Sequence, residues 1–432
     1  MNYTELIKKY KTPLYLYDIP ELKKRVEMIR SHQKDIGLCY AMKAAPLLAG
    51  YIAPFVDRLE VCSPGEYEIC IRDKVKPEQI LVSGVNKTRE SMDRILSLGG
   101  ASGFFTIESP EHFEILEDAF CKYINTANTD TPDKSNESSA ISKLRVYIRL
   151  TSGNQFGVDR DTLEELCQKV IDSKYLDLVG IHFFSGTQKN LKKIEHELTE
   201  LTIAGQELHD KFGRDFELEY GPGLGIDYFQ ASNKNKSANI DKTVNMEITT
   251  NIGNSEDMSS LMEIVDSTGI RNSYSHITFE YGRYIAATCG KYFTGVADVK
   301  TTNGTNYAIL EGGLHQITYY GRMAGMKIPY IDYIPSDNSN EIASFKTSDY
   351  VLAGSLCSVN DILVRKISLP KLDIGDTLCF NLTGAYCATE GIALFLSRDL
   401  PAIVIRDEDE KSQEIIKLIR DHIETNSFNG GY

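Results

Sequence analysis

The hydrophobic residues of this chain fall into short runs that alternate with longer amphipathic segments. Eight of the runs are rich in β-branched and aromatic residues and predict buried strands. In chain order they are GLCYAMK, RLEVCSP, QILVSGV, GFFTIES, RVYIRL, LVGIHFF, FELEYGP and ITFEYGR. The intervening segments, such as TRESMDRILSLG and RDTLEELCQKVID, place apolar residues three or four positions apart and predict helices. This alternation predicts parallel βα units.

The number of strands and the length that they span predict a (β/α)8 TIM barrel. Such a barrel needs about 250 residues, and residues 27–285 supply that length. From residue 286 to 432 the pattern becomes alternating strands with Asn-Gly and Gly-Asp turns, which predicts a separate β-sandwich or β-barrel domain. Residues 1–26, with the strand PLYLYD, are expected to join this second domain. The fold class is therefore α/β with an additional C-terminal β domain.

Three segments carry further predictions. The final stretch, EKSQEIIKLIRDHIETNSFNGGY, predicts a helix that ends in a loose tail. Residues 125–140 and the stretch QASNKNKSANIDKTVN are polar and poor in apolar residues, so both predict solvated loops.

Composition and charge narrow the range of partners. The 432 residues carry 47 Lys and Arg against 61 Asp and Glu, a net charge of −14, which has the wrong sign for bulk attraction to nucleic acid or an anionic membrane. No apolar run approaches the roughly 18 residues of a membrane span. The nine cysteines show neither CxxC pairs nor zinc-type spacing, and the N-terminus has no apolar signal core. We expect a cytoplasmic protein with reduced thiols, a small-molecule partner and no metal site.

Chemically active side chains follow the predicted strands at the end where a TIM barrel builds its active site. They are Lys43, Ser63, Arg149, His182, Ser185, Thr187, Glu280 and Arg283. A lysine at the end of a buried strand needs a partner or a chemical role. The alternative is a lysine whose ammonium reaches solvent from the strand end.

The stretch YGPGLGID indicates an anion site. Gly221, Gly223 and Gly225 would let the backbone approach an anion closely, and Arg283 follows one strand later with a guanidinium suited to phosphate oxygens. A plain tight turn is the alternative. A phosphate cup, a strand-end lysine and a strand-end carboxylate are together what pyridoxal phosphate requires. Lys43 would then hold the aldehyde as a Schiff base and Glu280 the ring nitrogen, unless Glu280 only forms an ion pair with Arg283.

An ordered set of motifs resembles the fold-type III pyridoxal-phosphate decarboxylases, which include the ornithine, arginine and diaminopimelate decarboxylases. The motifs are TPLYLYD, YAMKAAP, FGVD, GIHFFSGTQ, GPGLGI, EYGR, CSVND and GAY, and the diaminopimelate branch is the most similar. The resemblance covers nearly the whole chain. It implies an alanine racemase-like fold, the cofactor pyridoxal 5′-phosphate, and α-decarboxylation of an amino acid with release of carbon dioxide and an amine.

The resemblance also assigns roles to individual residues. It makes Lys43 the Schiff-base lysine, Glu280 the ring-nitrogen partner and Cys357 the acid that protonates the carbanion. It implies cofactor contacts at Ser63, Phe184, Ser185, Gly223, Gly225, Gly282, Arg283 and Tyr386. Cys357 would enter the active site of the partner subunit, so a homodimer with shared sites is expected. The alternative for Cys357 is a small buried residue of the β domain.

The substrate side departs from the family pattern. Residues in or near the substrate site would be Arg283, Tyr319, Ser358 and Asp361. Ser358 replaces an acidic residue, Phe184 replaces a histidine that stacks on the cofactor, and Tyr319 replaces a carboxylate-binding arginine. Without an acidic partner, burying the distal ammonium of diaminopimelate or lysine costs several kcal/mol. Asp361 is a candidate to compensate, and the direction of its side chain is open. We interpret His182 as a packed core histidine.

Three alternative functions remain at this stage. A decarboxylase of a carrier-protein-tethered aminoacyl substrate, such as a glutamyl thioester, would explain the missing arginine, because the thioester removes one carboxylate. An alanine racemase would need a catalytic tyrosine in place of Cys357. A catalytically silent homologue that binds an active decarboxylase would be expected to lose its cofactor residues, which are present here.

Overall fold

The structure is a computed structural model that describes residues 1–129, 143–230, 255–336, 347–409 and 411–425. It divides into two compact units. The barrel unit comprises Arg25–Gly225 and Ser255–Tyr284, and the sheet unit comprises Met1–Lys24, Ile226–Asn254 and Ile285–Tyr432. The sequence analysis placed the whole of 27–285 in the barrel, whereas the structure groups the described residues 226–230 with the sheet unit.

The barrel unit is a closed barrel of eight parallel strands that pair in chain order, as predicted. The strands are β2 (Gly37–Ala41), β3 (Arg58–Val61), β4 (Ile80–Val82), β5 (Phe104–Ile107), β6 (Leu144–Arg149), β7 (Leu176–Phe184), β8 (Glu217–Gly221) and β9 (His276–Tyr281). Every residue of β2 to β5 is buried. A parallel strand in a barrel is covered on both faces, which fits the apolar sequences of β2, β4 and β5; in β3 the buried Arg58 and Glu60 are exceptions.

Helices follow the barrel strands. They are α3 (Ala49–Ile52), α4 (Pro64–Arg72), α5 (Arg89–Ser97), α6 (Pro110–Thr129), α7 (Arg160–Asp172), α8 (Leu191–Phe212), α9 (Ser255–Thr268) and α10 (Arg283–Ala286). Polar side chains cap several of them: Thr88 forms a capping box with Ser91 at α5, and Asp159 and Asn190 cap α7 and α8. None of the helices in the described ranges has the length and apolarity to cross a membrane.

The sheet unit is built on a mixed sheet. Its described strands are β1 (Leu14–Asp18), β10 (Gly290–Thr302), β11 (Thr305–Leu310), β12 (Ile331–Ile334), β13 (Thr347–Ala353), β14 (Ile362–Pro370), β15 (Thr377–Asn381), β16 (Ala402–Glu408) and β17 (Glu414–Arg420). The early strand β1 lies between β10 and β16, so the N-terminal segment joins this sheet as expected. Helices α1 (Tyr3–Tyr10) and α2 (Ile19–His32) flank β1 along the chain.

One predicted helix is wrong. The stretch after residue 410 forms β17, which pairs antiparallel with β16 from Ile403 to Glu408. Its apolar residues, Ile415, Ile416, Leu418 and Ile419, fit helical spacing as well as a strand, and the β-branched isoleucines favour the strand that the edge of the sheet offers.

The predicted polar insertions lie mostly outside the described residues. The first, 125–140, begins inside α6, which continues to Thr129. The rest of it lies outside the described residues, as do the second insertion beyond residue 230 and the loose tail beyond residue 425.

Candidate active site

Lys43 lies just beyond the carboxyl end of β2. The strand ends at Ala41, and Lys43 occupies a 3₁₀ turn over Met42–Ala44, not the strand itself. Its Nζ donates a hydrogen bond to Glu60 Oε2 at 2.5 Å and lies 3.7 Å from Cys62 Sγ. The Lys43 side chain is 34% exposed, so the amine is held by a buried partner and is still accessible from the barrel mouth.

Glu60 is the anchor for this lysine, and the sequence analysis missed it. Its Oε1 accepts hydrogen bonds from Ser83 Oγ at 2.5 Å and Cys62 Sγ at 3.3 Å. Burial acts to raise the pKa of Glu60, but the Lys43 charge and the hydrogen bonds from Lys43 and Ser83 outweigh it and lower the pKa to about 2. Burial and the Glu60 charge raise the pKa of the Cys62 thiol to about 12.

Glu280 lies on β9, next to β2 in the barrel, and is 7% exposed. Its Oε1 lies 3.2 Å from His182 Nε2, but the two are not aligned as a hydrogen bond. Glu280 Oε1 therefore has no hydrogen-bond partner among the described residues. His182, interpreted above as a core histidine, is indeed buried, but it stands directly beside the predicted ring-nitrogen partner.

Phe184 ends β7 and faces the lysine. Its ring centroid lies 5.9 Å from Lys43 Nζ. On the next strand, a side chain at Gly221 would collide with the Phe184 ring. The position predicted to stack on the cofactor thus shares the barrel mouth with Lys43.

The glycine-rich turn after β8 forms a close backbone cup. Gly223 has a φ of +61°, and a Cβ there would collide with the carbonyl oxygen of Gly186. Its own carbonyl accepts a hydrogen bond from Lys189 N at 2.9 Å. At Gly225, a Cβ would lie 3.2 Å from Gln188 Oε1. The turn after β8 is therefore packed against the loop after β7.

Arg283 and its neighbours complete this part of the barrel mouth. Arg283 Nε donates to Thr187 Oγ1 at 3.2 Å, and Gly282 immediately precedes it. Ser185 does not join this group, because its hydroxyl donates to the buried carboxylate of Glu197. Thr187 is therefore the hydroxyl at the cup. The sequence analysis placed Thr187 among the side chains at the strand ends but did not assign it to the cofactor.

Ser63 has a local structural role. It is exposed, and its Oγ accepts a hydrogen bond from Glu66 N at 3.1 Å as the N-cap of α4. The predicted cofactor contact at Ser63 must therefore share this hydroxyl with the helix cap. Glu60 and Cys62, on the same strand and turn, are the neighbours of Lys43 instead.

A second set of buried charged residues lies at the carboxyl ends of β4, β5 and β6. Arg149 Nη1 contacts Glu108 Oε2 at 3.1 Å, and Lys87 Nζ donates to the carbonyl of Gly84 at 2.6 Å. Burial lowers the pKa of Lys87 to about 8, partly opposed by Glu108. Arg149 was expected at a strand end, but Lys87 and Glu108 were not singled out.

Cys357 lies in the sheet unit, on the loop between β13 and β14. It is exposed, which contradicts the alternative of a small buried cysteine. Ser358 is half-buried beside it, and Val359 is 91% exposed. The loop borders an open cavity of about 720 Å³ lined by Leu314, Leu356, Ser358, Asn360, Asp361, Gly391, Ile392, Ala393, Leu394 and Phe395.

Asp361 is turned into the fold and not toward a ligand. Its Oδ1 accepts from Leu314 N and its Oδ2 from Leu356 N, both at 2.8 Å, and the residue is 2% exposed. Gly313 and Gly354 leave the space that this carboxylate occupies. The direction of the Asp361 side chain, left open by the sequence, is toward the backbone N–H groups of Leu314 and Leu356, where it fastens the Cys357 loop.

Tyr319 and Tyr386 differ in their environments. The Tyr319 hydroxyl donates to the carbonyl of Asn381 at 2.6 Å, and the residue is 7% exposed, so its hydrogen is committed to the sheet and not to a substrate. Tyr386 is half-buried with a φ of +65°, an unusual conformation for a residue with a side chain. Gly384 allows this turn, because a Cβ there would collide with the carbonyl oxygen of Ala286.

The closed barrel with a lysine, a buried carboxylate and a glycine cup at the strand ends defines a pyridoxal-phosphate enzyme. Residues 19–287 match the family model of the pyridoxal-dependent decarboxylases, pyridoxal binding domain. The chain therefore belongs to this family and is a pyridoxal-phosphate-dependent decarboxylase, as the sequence analysis predicted.

Named relatives and a solved structure extend this result. The chain is 26% identical to L-glutamyl-[BtrI acyl-carrier protein] decarboxylase of Niallia circulans, over 93% of this chain and 90% of that protein. It is 25% identical to 2-[(L-alanin-3-ylcarbamoyl)methyl]-2-hydroxybutanedioate decarboxylase of Staphylococcus aureus, over 92% and 95%. The fold is similar to diaminopimelate decarboxylase of Methanocaldococcus jannaschii in complex with L-lysine, with a TM-score of 0.76, 20% identity, and coverage of 98% and 92%.

The barrel residues fit the cofactor of this family. Glu280 offers a buried oxygen that no described residue engages in a hydrogen bond, which is the acceptor that a protonated pyridine nitrogen needs. The crowding at Gly221 and Gly223 excludes side chains from the turn that would receive a phosphate. Bound pyridoxal phosphate supplies an electron sink for the negative charge left when a carboxylate departs.

Proposed function

We propose that this protein removes the α-carboxylate of an amino acid as carbon dioxide and releases an amine. Lys43 is the amine that holds the cofactor aldehyde, and Glu280 accepts the hydrogen bond of the ring nitrogen. Phe184 covers one face of the ring, while Gly223, Gly225, Thr187, Gly282 and Arg283 hold the phosphate or a substrate carboxylate. The observation that carries this proposal is the buried Glu280 oxygen, which has no hydrogen-bond partner in the described part of the chain, in the barrel that also presents Lys43.

Glu60 is the residue that positions Lys43 in this proposal. Its Oε2 lies 2.5 Å from Lys43 Nζ and is fixed from its other side by Ser83. Because the pKa of Glu60 is lowered to about 2, this carboxylate stabilises the charged amine, and the proton that Lys43 must lose to act as a nucleophile goes to another acceptor. The buried position of Glu60 also keeps the amine pointed into the barrel mouth.

The test is a panel of free amino acids, including diaminopimelate, lysine, ornithine and arginine, with detection of carbon dioxide and the amine product. Turnover that disappears in Lys43→Ala supports the proposal. Inversion of an amino acid without gas release would support a racemase instead. Purified protein that neither binds pyridoxal phosphate nor turns over any substrate would support a silent binding homologue and contradict the proposal.

A second candidate is a substrate whose amino acid is attached to a larger group. It is favoured by Asp361, whose two oxygens are taken by backbone N–H groups and leave no carboxylate for a distal ammonium on the Cys357 loop. Both named relatives act on such substrates: a glutamyl group on an acyl-carrier protein in one and an alanin-3-ylcarbamoyl conjugate in the other. Mass spectrometry with free and carrier-bound glutamate in parallel separates this candidate from the first.

We also propose a homodimer in which Cys357 acts in the partner's active site and Tyr386 contributes to the phosphate site. The apolar surface near the Cys357 loop supports this, because Val359, Ile392, Leu394 and Phe395 are exposed by 91%, 54%, 49% and 46%. A mass in solution of twice the 48.5 kDa chain is expected. Nine free thiols are in keeping with a reducing compartment, so we propose a cytoplasmic location.

Subunit mixing tests the shared site. Lys43→Ala and Cys357→Ala are each expected to be inactive as homodimers. After co-refolding, roughly a quarter of the wild-type activity returns, because half of the dimers are mixed and each has one intact site. A mixture that stays inactive, although it forms mixed dimers, would contradict the shared site.

A further inference from the structure

Three side chains form a buried polar layer inside the barrel, on neighbouring strands. Cys39 on β2, Glu219 on β8 and Glu280 on β9 bring one sulfur or oxygen atom each to within 4.8 Å of the others. Cys39 lies opposite Glu280 in the strand register, and Glu219 lies opposite His182 on β7. Cys39 and Glu219 are fully buried. Glu219 is not one of the residues that the sequence analysis singled out.

The two carboxylates of this layer are unequally paired. Glu219 Oε2 accepts a hydrogen bond from Arg58 Nη1 at 2.6 Å, while Arg58 also contacts Glu217 and Tyr147. Glu219 Oε1 has no hydrogen-bond partner among the described residues, and the same is true of Glu280 Oε1. Two buried carboxylates at this separation cannot both be ionised without a large repulsion.

We propose that Glu219 holds a proton in a carboxyl–carboxylate pair with Glu280, so that Glu280 alone carries the negative charge of the pair. Glu219 does not touch the cofactor and acts as a positioning residue. The effect of Glu219 on the cofactor ring rests on the proposed function. The protonated Glu219–Glu280 pair does not rest on it. An ionised Glu219 would favour the protonated form of Glu280, which cannot accept the hydrogen bond of a ring N–H.

The groups that face Glu219 support the assignment of the proton. Burial raises the pKa of Glu219 to about 8, and the charge of Glu280 adds to this, while Arg58 and the Cys39 thiol oppose it. His182 lies opposite Glu219 on the neighbouring strand β7, and Tyr147, on β6, shares the Arg58 guanidinium with it. Glu217, on the same strand, shares Arg58 but has a side chain 29% exposed, so it is not held in the same way.

A bound metal ion is the rival explanation for the layer, since a thiol and two carboxylates can be metal ligands. The Arg58 guanidinium, 2.6 Å from Glu219, disfavours a further cation there. A proton satisfies the pair without adding a charge to the buried layer. Metal analysis of the purified chain distinguishes the two explanations.

The test is infrared spectroscopy of the cofactor-free full chain from pH 6 to pH 10. We expect the C=O stretching band of a buried carboxylic acid at neutral pH, which disappears as the pH rises through about 8. Glu219→Gln removes the band, and the matched control Glu217→Gln keeps it. Three results would each overturn the proposal. They are loss of the band in the control only, no band in the wild type at pH 6, and one equivalent of bound metal that is lost in Glu219→Gln.

A second variant keeps the test decisive if Glu219→Gln does not fold. In Glu280→Gln the like charge is removed, so the midpoint of the Glu219 band moves down by about one pH unit or more. An unchanged midpoint would overturn the coupling. The infrared measurement uses protein without cofactor, so it does not depend on decarboxylase activity. A protein that shows the band but has no decarboxylase activity would contradict the proposed function and leave the Glu219 proposal intact.

Discussion

The barrel mouth and the Cys357 loop differ in how their polar groups are used. At the barrel mouth, Lys43 is held by Glu60, and Glu280 keeps a buried oxygen without a described partner. On the loop, the buried carboxylate of Asp361 is consumed by backbone N–H groups, and Val359 is almost fully exposed. In the proposed function, the residues for cofactor chemistry are thus fixed at the ends of adjacent strands, while substrate choice is left to a loop that can change without disturbing them.

The largest expected effect is the loss of kcat on mutation of Cys357, which should leave cofactor binding at the barrel mouth unchanged. Cys357→Ala removes the proposed acid and should lower kcat by about 10²–10⁴-fold without loss of cofactor binding, because the barrel residues are unchanged. Steady-state kinetics and cofactor absorbance measure the two quantities. Cys121→Ala, on helix α6, is the control and should leave both unchanged. Wild-type kcat in Cys357→Ala would show that another group donates the proton.

Glu60→Gln tests the charged part of the barrel mouth. The cofactor-free variant should lose about 1.5–3 kcal/mol of unfolding free energy at pH 7, the range for hydrogen bonds to a charged group. Because the folded state lowers the pKa of Glu60 to about 2, this stabilisation is present above pH 4.5 and is lost as the pH falls toward 2. Urea unfolding at pH 7 and pH 3 measures the difference.

The control for Glu60→Gln is Glu68→Gln on α4, which ends a surface ion pair with Arg94. That change should cost under about 1 kcal/mol. Equal losses in the two variants, or a loss in Glu60→Gln that is the same at both pH values, would contradict the account of the Lys43–Glu60 pair.

Ser358→Glu restores an acidic residue to the Cys357 loop and should shift specificity toward free basic amino acids. A hydrogen-bonded charge pair of about 1.5 kcal/mol corresponds to roughly a tenfold gain in kcat/KM for diaminopimelate or lysine. Asn360→Glu, on the same loop, is the matched control for added charge. A similar gain from both variants would mean that the effect is general electrostatic attraction and not a contact at position 358.

Phe184→Leu should have the smallest effect. Loss of a stacked ring costs about 0.5–1.5 kcal/mol, or roughly a two- to tenfold weaker affinity for pyridoxal phosphate. Phe183→Leu is the control, because Phe183 packs against Tyr220 and not toward the lysine. Cofactor titration by absorbance measures both, and an equal loss of affinity in the two variants would rule out a stacking role for Phe184.

The barrel was predictable from the sequence because most of its strands are short apolar runs that alternate with amphipathic helical segments. Lys43 and Glu280 were selected because they stand at the ends of such runs, where a barrel collects its active site, whereas Phe184 was assigned by the family resemblance alone. Strand β17 was missed because four apolar residues in a stretch of seven fit both the helical and the strand periodicity. Pairing with the edge of β16 decides in favour of the strand, and this pairing cannot be read from the local sequence.

Contacts between strands could not be predicted in the same way. The partnership of Glu60 with Lys43, and of Glu219 with Arg58, depends on which strands become neighbours and on their register. The direction of Asp361 depends on the backbone of Gly313 and Gly354, which make room for its carboxylate. The hydrogen bond from Ser185 to Glu197 could not be predicted either, because it depends on how helix α8 packs on the barrel.

The most direct test of the account is borohydride reduction of the protein with bound pyridoxal phosphate, followed by digestion and mass spectrometry. The account predicts a reduced cofactor on the peptide that contains Lys43, and no labelled peptide in Lys43→Ala. A label on a different lysine, such as the buried Lys87 or Lys189 of the barrel, would contradict it.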